Sequence, residues 1–424
     1  MTEPSREGAG PLATEAAPPG AAPEAARGRL RELAALFLKL GFIAFGGPAA
    51  HIAMMEDEVV ERRRWLSRQH FLDLIGATNL IPGPNSTEMV MHVGYERAGW
   101  RGLLVAGACF IGPAVGLTGL AAWAYVAYGA LPAVEPFLYG IKPAVLAVIA
   151  GALWKLGKKA VTGWPLAVLA AVVAAAVLAG VGEVWALLAG GIVGALVLRA
   201  LARGDGGAPP EAATSGSPEA GTPEVGTAGR WLPILFLQTG ASGAAGAAAG
   251  VSLAKLFWFF LKVGAVLYGS GYVLVAFLEG GLVDDLGWLT QGELLDAIAI
   301  GQFTPGPVLS TSTFIGYLVL GVAGAAVATL GIFLPSFVFV GLLNPLVPRL
   351  RRSAWLSAFL DAVNASAVAL MLAVTLELGR DVLVSWPAFV IAGLAAVAVL
   401  RFKASSVWIV LGGAVLGWLL APWA

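Results

Sequence analysis

An internal repeat constrains this chain more than any other feature of its sequence. The segment FLKLGFIAFGG, residues 37 to 47, matches FLKVGAVLYGS, residues 260 to 270, at a shift of 223 positions. The same shift carries Pro82-Gly83-Pro84 onto Pro305-Gly306-Pro307 without a gap. Two unrelated apolar stretches would not also match charged residues and Pro-Gly-Pro in order, so the halves predict two copies of one fold unit. Further matches at this shift are Glu56 with Glu279, Asp73 with Asp296, and Asn79 with Gln302.

Composition places both copies in a membrane. Charged residues make up only 12% of the chain and hydrophobic residues 58%, whereas a soluble domain has about 25% charged residues. In lipid every backbone N–H and C=O must be paired within the structure, which leaves helices or closed barrels. The apolar runs are too long and continuous for barrel strands. The predicted fold class is therefore an all-α polytopic integral membrane protein.

Two polar segments divide the chain. Residues 1 to 28 and 203 to 230 are rich in Pro, Ala, Glu and Gly, so we predict a disordered N-terminal tail and a flexible linker. The first repeat then covers residues 29 to 202, and the second covers residues 255 to 424. Residues 231 to 254 predict one extra membrane span between the linker and the second repeat.

Loop charges indicate that the two copies have opposite orientations. Cytoplasmic loops collect Lys and Arg. The loop at residues 56 to 70 holds four arginines and its counterpart at 279 to 293 holds none, whereas the loop at 127 to 136 holds none and its counterpart near residue 350 holds three. This alternation predicts an inverted-topology repeat with a cytoplasmic tail and a cytoplasmic linker. In such repeats the binding site lies near the bilayer midplane, between the halves.

Helix-interrupting residues break the apolar runs at four places. Non-helical backbone at membrane depth persists only where protein or a wet cavity satisfies it. We therefore predict re-entrant hairpins with tips at these breaks, with kinked crossing helices as the alternative. A half-helix that starts at such a tip exposes unpaired amides, which bind anions. The breaks are Phe45-Gly46-Gly47-Pro48, Ile81-Pro82-Gly83-Pro84-Asn85, Tyr268-Gly269-Ser270-Gly271 and Thr304-Pro305-Gly306-Pro307.

Charged residues within the apolar runs are further candidates. Lys39 and Lys262 are repeat mates where charge is costly and often functional, so they predict a binding pair for a dianion. Snorkelling of both lysines to an interface is the alternative. Asp73 and Asp296 could be proton or cation sites, or charges at helix starts.

Glu88 and His92 are spaced i, i+4 and would share one helix face. This spacing suits a proton-carrying pair, and it equally suits a structural hydrogen bond. The second copy has no counterpart of either residue. We therefore expect the two halves to be functionally unequal.

These motifs resemble a known family. The run FGGPAAHIAMMEDEVVERRRWL, then FLDLIGATNLIPGPNSTEMVMHVGYERAG, resembles the signature of the chromate ion transporter family. The segment GQFTPGPVLSTSTFIGYLVLG with GIFLPSF resembles the C-terminal half of its long, two-domain form. The resemblance implies a transporter that exports chromate from the cytoplasm across the cell membrane, driven by the electrochemical gradient. Sulfate is the natural look-alike substrate.

The resemblance and the residue patterns together define two predicted sets. The substrate-binding set is Lys39, Lys262, Gly46, Gly47, Pro48, His51, Asn79, Pro82, Gly83, Pro84, Asn85, Ser86, Thr87, Gln302, Pro305, Gly306 and Pro307. The set for proton coupling or gating is Glu56, Asp73, Glu88, His92 and Asp296.

Other function classes find no support in the sequence. HExxH, a cysteine cluster and a Gly-rich nucleotide fingerprint are absent, so we expect no enzyme, metal or cofactor. Zero net charge gives no reason to expect nucleic acid. The expected partners are chromate, with sulfate as an alternative, and the lipid bilayer; a homodimer is compatible with the sequence. A transporter or channel for sulfate or another anion is the rival interpretation.

Overall fold

The computed structural model describes residues 21–45, 48–129, 131–204, 251–268, 271–343 and 353–420. These residues form fourteen α-helices and no strand, which confirms the predicted all-α fold. Of the predicted polar tail, residues 21 to 28 belong to the first helix and the rest lies outside the described residues. Most of the predicted linker and of the extra span at 231 to 254 also lies outside them.

The first half contains seven helices, and the second of them continues into a π-helical turn. They are α1 Ala21–Ile43, α2 Pro48–Glu56 with the π turn Asp57–Arg62, α3 Arg68–Thr78, α4 Asn85–Tyr128, α5 Glu135–Ala160, α6 Trp164–Leu178 and α7 Glu183–Gly204.

The second half repeats this order, with a π-helical turn at the equivalent place. Its elements are α8 Leu253–Val266, a 3-10 turn Gly271–Val273, α9 Leu274–Leu278 with the π turn Glu279–Asp285, α10 Gln291–Phe303, a 3-10 turn Val308–Ser310, α11 Thr311–Leu343, α12 Ala354–Val382, α13 Trp386–Leu400 and α14 Ser406–Leu420. Two repeated domains are thus present in structure as well as in sequence.

Five helices are long and apolar enough to cross a membrane. They are Asn85–Tyr128, Glu135–Ala160, Glu183–Leu201, Val308–Leu342 and Ala354–Val382. Three shorter apolar helices, α6, α13 and α14, accompany them. The protein is therefore a multi-pass membrane protein, as the composition predicted.

The four breaks lie where the sequence predicted them. α1 ends at Ile43, α4 begins directly after Pro84, α8 ends at Val266 and α10 ends at Phe303. Residues 46, 47, 269 and 270 fall outside the described residues. Interruption of the helices at these motifs is a feature of the structure, whereas the one-sided re-entrant course of each hairpin stays a prediction.

A tight turn folds each long helix back on itself. Gly99 has φ +59° and Gly321 has φ +62°, a left-handed conformation that glycine adopts without strain. A Cβ on Gly94 would lie 2.4 Å from the carbonyl oxygen of Gly102, although the two residues would be about 12 Å apart in a straight helix. α4 therefore consists of a half-helix from the Pro-Gly-Pro tip and a second helix that crosses beside it, and α11 has the same form.

Each half exchanges helices with the other. α5 packs against α13 and α14 of the second half, and α12 packs against α6 and α7 of the first. Small residues permit close contact: a Cβ on Gly140 would lie 2.1 Å from the carbonyl oxygen of Gly413. α4 and α11 pack against each other, so the helices that follow the two Pro-Gly-Pro breaks are neighbours.

Candidate functional site

All four breaks meet at one point. A closed cavity of about 10 Å³ lies there, and each broken segment contributes to its wall. Its lining residues are Pro48, His51, Pro84, Ser86, Gly271, Tyr272, Pro307, Val308 and Leu309. We call this place the junction. It has room for about one water molecule and none for a tetrahedral oxyanion, so the junction is closed in this conformation.

Two backbone hydrogen bonds hold the junction together across the halves. The amide of Gly83 donates to the carbonyl of Leu267 at 2.7 Å, and the amide of Gly306 donates to the carbonyl of Ala44 at 2.9 Å. The repeat shift of 223 positions relates the two donors, Gly83 and Gly306, and it also relates the two acceptors, Ala44 and Leu267. Each Pro-Gly-Pro turn therefore donates a hydrogen bond to a backbone carbonyl at the end of the broken helix in the opposite half. Buried non-helical backbone requires such partners.

His51 ties two breaks of the first half together. Its Nε2 lies 2.9 Å from the carbonyl oxygen of Ala44, and its Nδ1 lies 3.2 Å from Oγ of Ser86. A carbonyl only accepts, so Nε2 carries the proton, and in the neutral ring Nδ1 accepts from the Ser86 hydroxyl. His51 thus orients the first turn of α4, which is consistent with its predicted place in the site.

Glu88 is an ionisable group beside the first Pro-Gly-Pro turn. Its side chain is fully buried, its Oε1 accepts from the Ser336 hydroxyl at 3.4 Å, and its Oε2 has no hydrogen-bond partner among the described residues. A Cβ on Gly83 would lie 2.2 Å from Oε1. A side chain at position 83 would therefore displace this carboxyl group.

The second half has no carboxylate at the equivalent place. A Cβ on Gly306 would meet the methyl of Ala114 at 2.9 Å. The hydroxyl of Thr118 in α4 donates to Ser310 at 3.2 Å or to Thr304 at 3.3 Å. The two sides of the junction thus differ, with a buried acid on one side and hydroxyl groups on the other, and functional inequality of the halves stays a prediction.

A larger cavity of about 410 Å³ reaches the first Pro-Gly-Pro break from one face of the molecule. Its wall is formed by the end of α3, the start of α4, the end of α5, the start of α12 and Val273. We call it the vestibule. Its polar lining residues are Asn79, Asn85, Lys159, Thr162, Ser353, Ser357, Asp361 and Asn364.

Most predicted residues of the motifs lie at the junction or the vestibule. Asn79 and Asn85 line the vestibule, and the Asn85 amide donates to Asn79 Oδ1 at 2.9 Å. Pro48 and His51 lie at the junction; Gly46 and Gly47 fall outside the described residues. The following predicted residues are buried around the two Pro-Gly-Pro turns: Pro82, Gly83, Pro84, Ser86, Thr87, Glu88, His92, Gln302, Pro305, Gly306 and Pro307.

The two predicted lysines do not line the junction or the vestibule. Lys39 is exposed and its Nζ donates to Glu58 at 2.8 Å. Lys262 is also exposed, and its Nζ lies 5.7 Å from the centroid of the Phe259 ring. Their role in substrate binding stays a prediction, and their location matches the alternative of lysines that reach an interface.

The predicted acids are also spread apart. Glu56 pairs with Arg68 at 3.2 Å, and Asp73 accepts from Gln69 at 3.4 Å. Asp296 is buried and accepts from the Tyr125 hydroxyl at 2.8 Å. The structure therefore does not bring Glu56, Asp73, Glu88 and Asp296 into one relay.

Sequence reasoning missed six of the eight polar residues of the vestibule. Lys159, Thr162 and Ser353 lie at helix ends or in a loop, whereas Ser357, Asp361 and Asn364 occupy one face of α12 at helical spacing. An Asp inside an apolar span is a functional candidate by default. That signal could have identified Asp361. Among the described residues, no group of three His, Cys, Asp or Glu is placed to hold a metal ion.

Comparison with known proteins identifies the family. The family model described as "Chromate transporter" matches residues 31–195 and again residues 254–418. The chain belongs to the chromate transporter family. Two matches within one chain give this member the two-repeat form, with one copy of the family domain in each half.

Curated relatives in the family cover nearly the whole chain. A protein of Cupriavidus metallidurans named "Chromate transport protein" is 32% identical over 93% of this chain and 94% of its own length. A "Probable chromate transport protein" of Synechococcus elongatus is 32% identical over 85% and 88%. A "Chromate transport protein" of Pseudomonas aeruginosa is 30% identical over 92% of each chain. No solved structure matches the chain.

Proposed function

We propose that this protein exports chromate from the cytoplasm across the cell membrane by alternating access. In this cycle the vestibule admits the anion, the junction opens, and the anion leaves on the opposite side. Three family relatives that cover most of this chain are named as chromate transport proteins, or a probable one. This likeness supports the choice of substrate.

The observation that carries the proposal is the meeting of the vestibule with a helix start. The cavity ends at Asn79 and Asn85, where α4 begins after the Pro-Gly-Pro break. The first amides of a helix carry partial positive charge and bind anions. An oxyanion that enters the vestibule therefore reaches a favourable position next to the closed junction.

The predicted topology gives the direction of transport. The vestibule opens beside Lys159 at the end of α5 and Ser353 at the start of α12. Both ends adjoin loops rich in Lys or Arg, which the positive-inside rule assigns to the cytoplasm. The same assignment makes the N-terminal tail and the central linker cytoplasmic. On this basis the conformation is open to the inside.

Membrane potential is a sufficient driving force for a dianion. Moving one charge through 100 mV releases about 2.3 kcal/mol, so two charges release about 4.6 kcal/mol, or somewhat over three decades of gradient. An interior-negative potential alone would therefore expel the chromate dianion, and it would expel the singly charged hydrogen chromate with half of that energy. Glu88 could add proton coupling, but the energetics do not require it.

Flux in liposomes that contain only the purified protein tests the proposal. Efflux of radioactive chromate would be measured with an imposed potential of either sign, with and without a pH gradient. We expect efflux to follow an interior-negative potential and to reverse with its sign. A pH gradient that drives flux at zero potential would establish proton coupling.

Two outcomes would contradict the proposal. Absence of chromate flux under every gradient would show that the named substrate of the relatives does not apply to this chain. Equal transport of sulfate and chromate in the same liposomes would favour a general anion transporter of this architecture.

A further inference from the structure

The vestibule combines one cation, one carboxylate and several neutral hydrogen-bonding groups. Lys159 and Asp361 are the only titratable residues among its described lining residues. Among the described residues, neither forms an ion pair. Both charged groups are exposed, so both are available to a molecule inside the cavity.

Most of this lining favours an anion. Lys159 supplies a full positive charge from the last turn of α5. The starts of α4 and α12 add the partial positive charge of two helix N-termini at Asn85 and Ser353. The side-chain amides of Asn79 and Asn364 can donate hydrogen bonds to oxyanion oxygens. These groups accept any tetrahedral oxyanion and cannot distinguish chromate from sulfate.

Asp361 is the exception within this anion-favouring cavity. An ionised carboxylate only accepts hydrogen bonds, so it repels an anion that has no proton to offer. It binds an anion that carries an O–H group, because that group donates to the carboxylate. The second dissociation of chromic acid falls near neutral pH, so hydrogen chromate is abundant there, whereas sulfate is fully deprotonated.

We propose that Asp361 makes the vestibule selective for oxyanions that carry a proton, and hence for hydrogen chromate over sulfate, while Lys159 neutralises the charge of the bound anion. This inference rests on the proposed function of the same site. A repulsive group that rejects the competitor is a general route to specificity. The size of the effect is set by one hydrogen bond to a charged group, which corresponds to about tenfold or more in affinity.

Equilibrium dialysis of the purified full-length protein in detergent tests the selectivity directly. Radioactive chromate and radioactive sulfate would be measured separately at pH 6 and pH 8. We expect the wild type to bind chromate at least about tenfold more tightly than sulfate at pH 6. Chromate binding should weaken at pH 8, because less hydrogen chromate is present, whereas sulfate binding should not change for that reason.

Three variants isolate the role of Asp361. Asp361→Asn keeps the shape of the side chain but can donate, so it should bind sulfate about tenfold more tightly and lose the pH effect on chromate. Lys159→Ala should weaken both anions and leave their ratio unchanged. Glu377 lies on the same helix outside the vestibule, so Glu377→Gln should change the affinity for neither anion. Asp361→Ser is a second variant at this position and should shift the ratio of chromate to sulfate affinity in the same direction.

An unchanged ratio of chromate to sulfate affinity in both Asp361 variants would overturn the inference, and so would absence of chromate binding to the wild type. Failure of the proposed function gives a different result. Selective binding without flux in liposomes would leave the selectivity of Asp361 intact and remove export. Flux without any effect of Asp361 would leave export intact and remove the selectivity.

Discussion

The two π turns, Asp57–Arg62 in the first half and Glu279–Asp285 in the second, occupy equivalent positions in the repeat, but different contacts hold them. In the first half Arg68 pairs with Glu56 at 3.2 Å; at the same place in the second half Gln291 donates to Glu279 at 3.1 Å. The geometry of the contact is thus conserved between the halves, while its charge is not. The second-half carboxylate has lost its cation.

The neighbouring contact differs in the same sense. Glu58 is buried and lies 2.8 Å from Lys39, with Arg63 at 3.3 Å and Arg62 at 3.6 Å. Its repeat position holds Gly281, where a Cβ would lie 2.4 Å from the ring of Phe259. Ion pairs thus hold the π turn of the first half, whereas aromatic packing holds the π turn of the second. The same backbone conformation can therefore be stabilised by ion pairs in one repeat and by side-chain packing in the other.

The largest difference between the halves should appear at the Pro-Gly-Pro turns. Gly83→Ala places an alanine in a backbone conformation with φ +146°, which side chains rarely adopt, and puts its methyl group 2.2 Å from the Glu88 carboxyl. We therefore expect chromate flux to fall by more than about tenfold. Gly306→Ala meets the rigid Ala114 methyl at φ +94° and should mainly destabilise, by about 2 to 4 kcal/mol. Flux in liposomes and melting temperature in detergent measure the two effects.

Gly112→Ala is the matched control, because the position is helical and open space surrounds it. It should change neither flux nor melting temperature. Equal loss of flux and stability in Gly83→Ala and Gly306→Ala would contradict the difference between the two sides of the junction.

Removal of Glu58 from the π turn of the first half should give the next largest effect, a loss of stability. Glu58→Ala leaves Lys39, Arg62 and Arg63 facing one another, so we expect a loss of about 1 to 3 kcal/mol, read as a drop in melting temperature. The Lys39 hydrogen bond, with Arg63, lowers the pKa of Glu58. Its stabilising contribution is therefore present above the ordinary carboxyl pKa and is lost as the pH falls through the lowered value.

Glu61→Ala provides the comparison, since Glu61 is exposed in the same turn. A melting temperature that responds equally to both substitutions would show that the ion pairs add no stability. The same conclusion would follow if the wild type lost no more stability in acid than the Glu58→Ala variant does.

The pH dependence of stability should reveal a further difference between the two π turns. Glu279 lies outside the five long apolar helices; burial, then Glu377 and Asp284, raise its pKa from 4.5 to about 8. The native state therefore holds a proton that the unfolded state releases, and stability should fall as pH rises between these values. We expect the melting temperature to fall by roughly a few degrees over this window. Gln291→Arg should flatten the slope, because it restores the cation of the first half.

Glu279→Gln is the second arm of this experiment, since an amide cannot titrate. It should flatten the slope in the same way. A slope that persists in both variants would assign the pH dependence to other acids nearby, among them Asp284, whose pKa is also raised by burial.

The smallest effect should come from the lysine pair. Lys39→Ala removes the shortest contact of Glu58 and should cost about 0.5 to 1 kcal/mol, whereas Lys262→Ala removes an exposed cation–π contact and an electrostatic attraction to Glu183, without an ion pair, and should cost less than about 0.5 kcal/mol. Melting temperatures of both variants give the comparison. Loss of chromate flux at an unchanged melting temperature would instead support the substrate role that the sequence predicted for these lysines.

Sequence reasoning predicted the breaks and their symmetry because glycine and proline act locally. The repeat shift correctly made Gly83 and Gly306 equivalent, and the apolar runs correctly indicated helices. The repeat shift could not indicate that Gly83 pairs with Leu267 of the other half. A shift identifies equivalent residues in the two halves, but it does not say which residues are in contact. Pairing across the halves is a property of the three-dimensional packing alone.

The site was predicted less completely than the fold. Lys39 and Lys262 stood out because they interrupt apolar runs at matching positions, yet the structure places both at the surface. The vestibule depends on Lys159 from one helix and Asp361 from another, which are far apart in sequence and belong to no repeated motif. Residues that converge only through helix packing leave no local spacing to find.

The crossed hydrogen bonds of the junction also constrain how the protein is made. The first Pro-Gly-Pro turn finds its carbonyl partner only when Leu267, 184 residues further along the chain, has been synthesised. Until then Gly83 sits in the bilayer with an unsatisfied amide, at a cost of several kcal/mol. The first half therefore cannot complete its own part of the junction before the start of the second half has been made.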